Sequence, residues 1–229
     1  MPKISKYIVI LVSFLFFFSA NAWAQNGEEE QEQEEKTSLF RGVMVEFDLF
    51  SAVMSAVNRE TFSFEGNIRI NLDERFFPIV EFGFAGADKR SINDFGFRTS
   101  GFFARIGLDY NMLQPNTPET RIRRYFFVGG RYGISPFSFD ITNVEINNEP
   151  WSEPEFRDFR GITTTRHWFE AVAGLRVEVL DNIYMGWSVR LRMQPGRNRM
   201  GEIHPWFIPG IGIQSLGTWG FSYTIGYRF

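Results

Sequence analysis

Trp219-Gly-Phe-Ser-Tyr-Thr-Ile-Gly-Tyr-Arg-Phe229 places a large apolar side chain at every second position: Trp219, Phe221, Tyr223, Ile225, Tyr227 and Phe229. Gly220, Ser222, Thr224, Gly226 and Arg228 fill the positions between. Strict period-2 alternation gives a strand with one apolar face and one small or polar face. Aromatics stand at both ends of the apolar face, as they do on a strand that crosses a bilayer between two interfaces.

The same alternation recurs upstream. Seven further strands are expected, the first over Gly42–Phe50 and the second over Thr61–Leu72, with a loop between them at Ser51–Glu60. Ala52-Val-Met-Ser-Ala56 in that loop suits either a helical turn or a strand extension. A third strand carries Pro78, Val80, Phe82 and Phe84 on its apolar face, and a polar loop follows at Gly86–Phe95. The fourth presents Phe102, Ala104, Ile106, Leu108 and Tyr110, and the fifth Phe126, Val128, Gly130, Tyr132 and Ile134. The longest connection, Ser135–Arg166, opens with Phe137, Phe139 and Ile141, whose phase is shifted at Ser135-Pro136; a bulge and a protruding strand are expected there. Strands six and seven flank the hairpin turn Asp181-Asn182. A loop rich in Gly and Pro, Gln194–Thr218, leads to the last strand.

Charges settle which face is which. The apolar parity of all eight strands carries none. The opposite parity carries Glu46, Asp48, Glu65, Glu81, Asp109, Glu170 and Glu178, against Arg69, Arg105, Arg131, Arg176, Arg190, Arg192 and Arg228. A base on a lipid-facing position costs about 2–4 kcal/mol at the midplane, which produces this segregation. Arg outnumbers Lys by twenty to four, and Arg is the better partner for desolvated carboxylates. The expected fold is therefore all-β: an eight-stranded antiparallel up-and-down transmembrane β-barrel with an ion-pair network in its lumen. Eight strands enclose an interior just wide enough to be filled by side chains, so no open solute channel is expected. Alternating short and long connections place both barrel termini at the periplasmic side. A soluble periplasmic lipocalin-like carrier shows the same alternation with the apolar face turned inward, and is the competing fold.

The first residues set the compartment. Lys3 and Lys6, the apolar run Tyr7–Phe18 and the small pair Ala22 and Ala24 read as a signal peptide over 1–24, cleaved after Ala24. An acidic leader over 25–38 follows, and the barrel occupies 39–229. Taking Lys3, Lys6 and Lys36 from 24 basic residues and the six leader glutamates from 27 acidic ones leaves 21 of each from Thr37 onward. That balance offers no footprint for nucleic acid. With no cysteine in the chain, disulfides, thiolate metal sites and a lipidated cysteine are excluded.

The terminal strand resembles the targeting strand of bacterial outer-membrane barrels, with Tyr223, Tyr227 and the final Phe229 as the residues that the barrel-insertion machinery reads. Phe77-Pro-Ile-Val-Glu-Phe-Gly83, Phe103-Ala-Arg-Ile-Gly-Leu-Asp-Tyr-Asn-Met-Leu113, Gly130-Arg-Tyr-Gly133, His167-Trp-Phe-Glu170, Met185-Gly-Trp-Ser-Val-Arg190 and Pro205-Trp-Phe-Ile-Pro-Gly210 together resemble a Bacteroidota family of small outer-membrane β-barrels, the domain of unknown function 6048 type. The resemblance implies fold and location and no activity.

Chemistry is sparse. His167 and His204 are the only histidines. Either suits a base in a lipid- or lipopolysaccharide-modifying enzyme; beside Trp168 and Trp206 both suit interfacial anchoring better. No ligand spacing for a metal and no phosphate loop is present. The expected protein is a monomeric, non-enzymatic barrel without a cofactor. Its partners are outer-membrane lipid or lipopolysaccharide, the insertion machinery, and an unidentified protein or glycan at the loop 135–166.

Overall fold

A computed structural model describes residues 39–58, 60–90, 95–113, 123–146, 155–195, 205–213 and 218–229. The expected signal peptide and leader lie outside the described residues. Strands β1 (Phe40–Asp48), β2 (Thr61–Leu72), β3 (Phe76–Arg90), β4 (Gly96–Asn111), β5 (Arg124–Ile146), β6 (Glu155–Leu180) and β7 (Ile183–Met193) run in chain order, with helix α1 (Leu49–Val57) after β1. A small hairpin, β8 (Phe207–Ile208) and β9 (Gly212–Ile213), precedes β10 (Thr218–Arg228). Eight strands close a ring in the order β1-β10-β7-β6-β5-β4-β3-β2, and every neighbouring pair is antiparallel. The seam is made by the stretch on which the alternation was first read: Met44 opposes Arg228 and Phe47 opposes Ile225.

Alternation along the strands becomes inside and outside. On β4, Phe102, Ala104, Ile106 and Leu108 are exposed, while Phe103, Arg105 and Asp109 are buried. Ile106 keeps 62% of its surface outside the barrel and Arg105 only 2%. The protein is inside-out relative to a water-soluble barrel. Only a closed barrel or a helix satisfies its backbone in lipid, and among the described residues no helix is long and apolar enough to cross a membrane. From Phe102 to Tyr110 the outward belt spans about nine residues, the reach a tilted membrane strand needs.

Tight turns define one end of the barrel. Asp73 and Glu74 both hold positive φ, 53° and 54°, and the Asn71 side chain accepts the Glu74 amide at 2.9 Å. Asn182, at φ 66°, makes the matching turn between β6 and β7. This is the turn end; the opposite is the hairpin end.

At the hairpin end three expectations are corrected. The strands are longer than the polar composition suggested: β3 and β4 stay paired through Asp88 opposite Arg98 and Arg90 opposite Gly96, so the first half of the expected loop 86–95, through Arg90, is ladder. There is no bulge at Ser135-Pro136. The register to β6 runs unbroken from Ile134 opposite His167 to Phe139 opposite Ile162, and shifts only beyond it. What changes at Pro136 is chemistry. Phe137, Phe139 and Ile141 keep the inward parity of Arg131 and Ser135 and are buried, while Pro136 and Ser138 point outward. Above this level the barrel is apolar inside and polar outside, as a protein in water must be. The third correction is Leu49, expected at the end of the first strand; it instead starts α1.

Helix α1 starts there because Asp48 caps it. The Asp48 carboxylate accepts the Phe50 amide at 3.0 Å and the Tyr223 amide of β10 at 3.2 Å. Asp48→Ala is expected to lower stability by about 1–2 kcal/mol, with Asp48→Asn milder because it still accepts. Urea unfolding of the barrel in lipid vesicles measures both; equal losses would remove the capping account.

Candidate functional site

The lumen holds the residues that the charge segregation singled out. Each charged side chain arrives there because its strand must turn one parity inward and the other parity is apolar. Toward the turn end, Glu46 accepts two hydrogen bonds from Arg176, at 2.5 and 2.9 Å, and one from Arg69 at 3.3 Å. Arg69 also pairs with Asp109, which Arg131 reaches at 2.7 Å. Nearer the hairpin end, Glu81 is the hub. Arg190 lies 2.6 Å from it, Arg105 3.0 Å and Arg131 3.1 Å. Arg105 extends the network to Glu65 at 2.5 Å and Glu170 at 2.9 Å. Bidentate and shared guanidinium–carboxylate contacts are the strongest kind available to a desolvated charge.

Three predicted members sit elsewhere. Asp48 is the cap of α1, not an ion-pair partner of the lumen arginines. Glu178 accepts the Asn182 amide in the β6–β7 turn. Arg228 is at the turn-end rim, 3.0 Å from Glu74, a residue the sequence placed only in a turn. Tyr223 and Tyr227 face outward with Phe229 at the seam, where Tyr227 and Phe229 meet edge to face at 4.9 Å.

Buried apolar side chains pack against the ionic set in two clusters. Toward the turn end, Phe77, Tyr125, Phe127 and Val172 form a buried cluster, and Phe77 stacks on Tyr125 at 4.8 Å. Arg176 lies 4.5 Å above the Phe127 ring, a cation–π contact that favours guanidinium inside the wall. Toward the hairpin end, Phe97, Phe103, Phe137, Phe139 and Trp168 surround Phe207, Ile208 and Ile211 of the β8–β9 hairpin, which folds back into the barrel. The Gly210 carbonyl accepts Arg105 at 2.7 Å and the Ile211 carbonyl accepts Arg192 at 3.0 Å. The lumen arginines therefore hold this hairpin in place.

Two expected interfacial anchors are corrected by these contacts. Trp168 faces inward, is fully buried, and donates its indole N–H to Glu170 at 2.7 Å. It fits because the facing residue is Gly133, where a Cβ would stand 2.3 Å from its ring. Trp206 packs edge-on to Phe97 at 6.0 Å, with the Lys89 ammonium 5.0 Å from its ring. The signal missed was parity: Trp168 shares the phase of Glu170, and Glu170 was already placed inside.

His167 is exposed on the outer wall. Its Nδ1 lies 2.7 Å from the Tyr132 hydroxyl and the two rings stack at 5.9 Å. A phenol partner and an aromatic neighbour describe an anchor at the belt edge better than a base oriented by a carboxylate. His204 lies outside the described residues, so the enzyme reading through it is untouched. Among the described residues no cluster of three metal-ligating side chains occurs.

Beyond the belt, β5 and β6 pair as far as Ile146 opposite Glu155. The described end of this pair is braced by Asp158, whose carboxylate accepts the Asn143 amide at 3.0 Å and Arg160 at 2.9 Å. The Asn143 amide, followed by Arg160, holds the Asp158 carboxyl below its ordinary range. A depressed carboxyl contributes order above its unfolded pKa and loses it as pH falls through the folded value.

Comparison with known proteins adds likenesses of fold. A family model described as Domain of unknown function (DUF6048) matches residues 4–229. The N-terminal β-barrel domain of Pseudomonas aeruginosa OprF superposes with a TM-score of 0.46 at 11% identity, over 82% of this chain and 97% of that one. Neisserial surface protein A gives 0.43 at 12% identity, over 83% and 99%. Ail of Yersinia pestis, in a complex with the heparin analogue sucrose octasulfate, gives 0.36 at 11%, over 82% and 97%. No curated protein matches the chain. The eight-stranded closure itself stands on strand order and register.

Proposed function

The chain belongs to the DUF6048 family, a domain of unknown function, and from that premise we propose that it is a small integral outer-membrane β-barrel with a sealed lumen, which acts through its outer hairpins and not through catalysis or solute passage. The observation that carries this reading is that the apolar residues pass from the outward to the inward parity at Ser135-Pro136. Below it the wall is apolar outside; above it β5 and β6 continue as a ladder with an apolar interior of Phe137, Phe139 and Ile141. A chain that builds a second, water-type core beyond its membrane belt presents a rigid outer platform, and binding residues are commonly carried on such scaffolds. Both barrel termini then lie on the periplasmic side, with the turns at Asp73–Arg75 and Asp181–Asn182.

The layering supports closure. Paired guanidiniums and carboxylates interleaved with buried aromatics fill the lumen, and a buried network tolerates opening poorly because every member must stay paired.

Two measurements test the proposal. In planar bilayers the refolded chain is expected to give no stable large conductance; a stable large step would overturn the seal. Replacing residues 143–158 by a short turn is expected to leave assembly and heat-modifiable gel mobility unchanged. The same replacement should abolish capture of envelope glycans or proteins on an array by the chain in nanodiscs. Equal capture by both forms would remove the hairpin from the binding role.

A further inference from the structure

The wall is one strand short on one side of the hairpin end. β1 stops at Asp48, but β2 continues outward to Thr61 and β10 to Thr218. Among the described residues, no strand pairs with Thr61–Phe64 of β2 or Trp219–Tyr223 of β10 on the side where β1 would continue. One absent strand leaves two interstrand spacings, about 9.6 Å, close to the roughly 10 Å width of a helix. Helix α1 occupies that gap. One of its side chains and its cap residue each take an amide from the edges that a strand would have paired. Ser63 of β2 donates its amide to the Ser55 hydroxyl at 2.7 Å, and Tyr223 of β10 donates its amide to Asp48.

A helix held by side chains closes a wall less completely than a ladder does. Behind α1 lies a chamber of about 270 Å³. Its mouth is apolar, with Phe50 against Phe221 at 5.1 Å and Trp219 beside them. Its inner wall includes Glu65, Arg105 and Arg192, two guanidiniums against one carboxylate. Glu65 is taken by Arg105 at 2.5 Å. Arg192 donates to the Ile211 carbonyl at 3.0 Å but is the lumen arginine with the weakest carboxylate pairing. Its nearest carboxylate contact, to Glu170, is 3.4 Å, and that same oxygen already receives Arg105 and Trp168. Arg192 is also the most exposed of the lumen arginines, with 14% of its side chain accessible. Its guanidinium lies against Gly220, where a Cβ would stand 2.7 Å from the nearest of its atoms; a glycine in β10 gives it access to the chamber.

We propose that this chamber binds the carboxylate head of a single-chain anionic amphiphile, a fatty-acid-like anion, at Arg192. The alkyl chain leaves past Phe50, Phe221 and Trp219 into the apolar belt. The weak carboxylate pairing of Arg192, 3.4 Å from an oxygen it shares with Arg105, selects one negative charge. The volume and the one-strand width of the gap select a single chain, and the continuity of the mouth with the outward belt supplies the amphiphile from the bilayer. This inference rests on the membrane reading above.

The test uses the refolded chain in phosphatidylcholine vesicles with dodecanoate labelled with carbon-13 at its carboxyl. Saturable binding of one dodecanoate per chain is expected, with the bound carboxyl still ionised at a pH where the free amphiphile in the same vesicles is protonated. Arg192→Gln is expected to weaken it about tenfold, and Arg192→Lys, which keeps the charge, to retain most of it, with heat-modifiable mobility unchanged in both. Dodecanol at equal concentration should not compete. Partition without saturation, competition by dodecanol, or unchanged binding in Arg192→Gln would each overturn the proposal. A chain that fails to insert into the vesicles would instead overturn the membrane reading.

Discussion

Glu81→Gln lowers the unfolding free energy of the barrel by about 3–5 kcal/mol, the cost of breaking a buried ionic contact by removing one partner. Glu81 is 3% exposed and meets three guanidiniums, those of Arg105, Arg131 and Arg190. Glutamine keeps the size and one acceptor oxygen but leaves one positive charge uncompensated inside the barrel. Relief is partial. Arg105 retains Glu65 and Glu170, and Arg131 retains Asp109. Arg190 retains only the 3.5 Å contact to Glu170, so it bears most of the loss. The double variant Glu81→Met with Arg190→Met restores neutrality and is expected to recover more than half of the deficit, since removing a buried pair costs less than breaking it. Equilibrium urea titration in vesicles, monitored by tryptophan fluorescence and gel mobility, measures all three forms. A loss below about 1 kcal/mol for Glu81→Gln would mean that water reaches the network and that the lumen is not sealed.

How much of this was legible before the structure follows from what alternation can and cannot encode. Parity assigned Glu46, Glu81, Arg105 and Arg176 to the interior because a charge on the lipid side is costly, and composition alone carries that penalty. Partners within the interior were not legible: six arginines on five strands reach five carboxylates, and which meets which depends on stagger around the ring. Alternation is also blind to its solvent. The period continues unchanged through Ser135-Pro136 while the outward side chains change from apolar to polar, so Phe137 and Phe139 looked like a register slip when the ladder had not moved. Trp168 was misplaced for the related reason that a Trp beside a His suggested a headgroup anchor more strongly than its phase with Glu170 suggested the lumen. The end of β1 was hidden because Leu49 continues the apolar parity, and only the capping geometry of Asp48 shows that the chain turns into a helix.

Ile106→Arg lowers stability by about 2–4 kcal/mol in vesicles if the outward belt faces lipid, because a base near the bilayer midplane has neither water nor a partner. Ile106 is the middle residue of the outward run on β4 and is opposed by Val80 and Tyr132 on its neighbours, so an arginine there finds no carboxylate across either ladder. Its distance from both ends of the belt lengthens the path by which the side chain reaches the interface. Thr163→Arg is the matched control. Thr163 also points outward, but it lies on the far side of the parity inversion, beside Ser138. An arginine at Thr163 sits in water and changes stability by less than about 0.5 kcal/mol, as surface substitutions generally do. The difference between the two positions reads the medium directly, because both side chains are outward and both substitutions add the same charge. In a water-soluble barrel both would be nearly neutral, since each position would be solvated. Refolding yield and urea midpoint in vesicles supply the measurement. Equal, small effects at Ile106 and Thr163 would place water along the whole outer wall. A large effect at Ile106 alone places the membrane boundary between Ile106 and Ser100 on β4, the stretch that faces Tyr132 to Ser138 on β5.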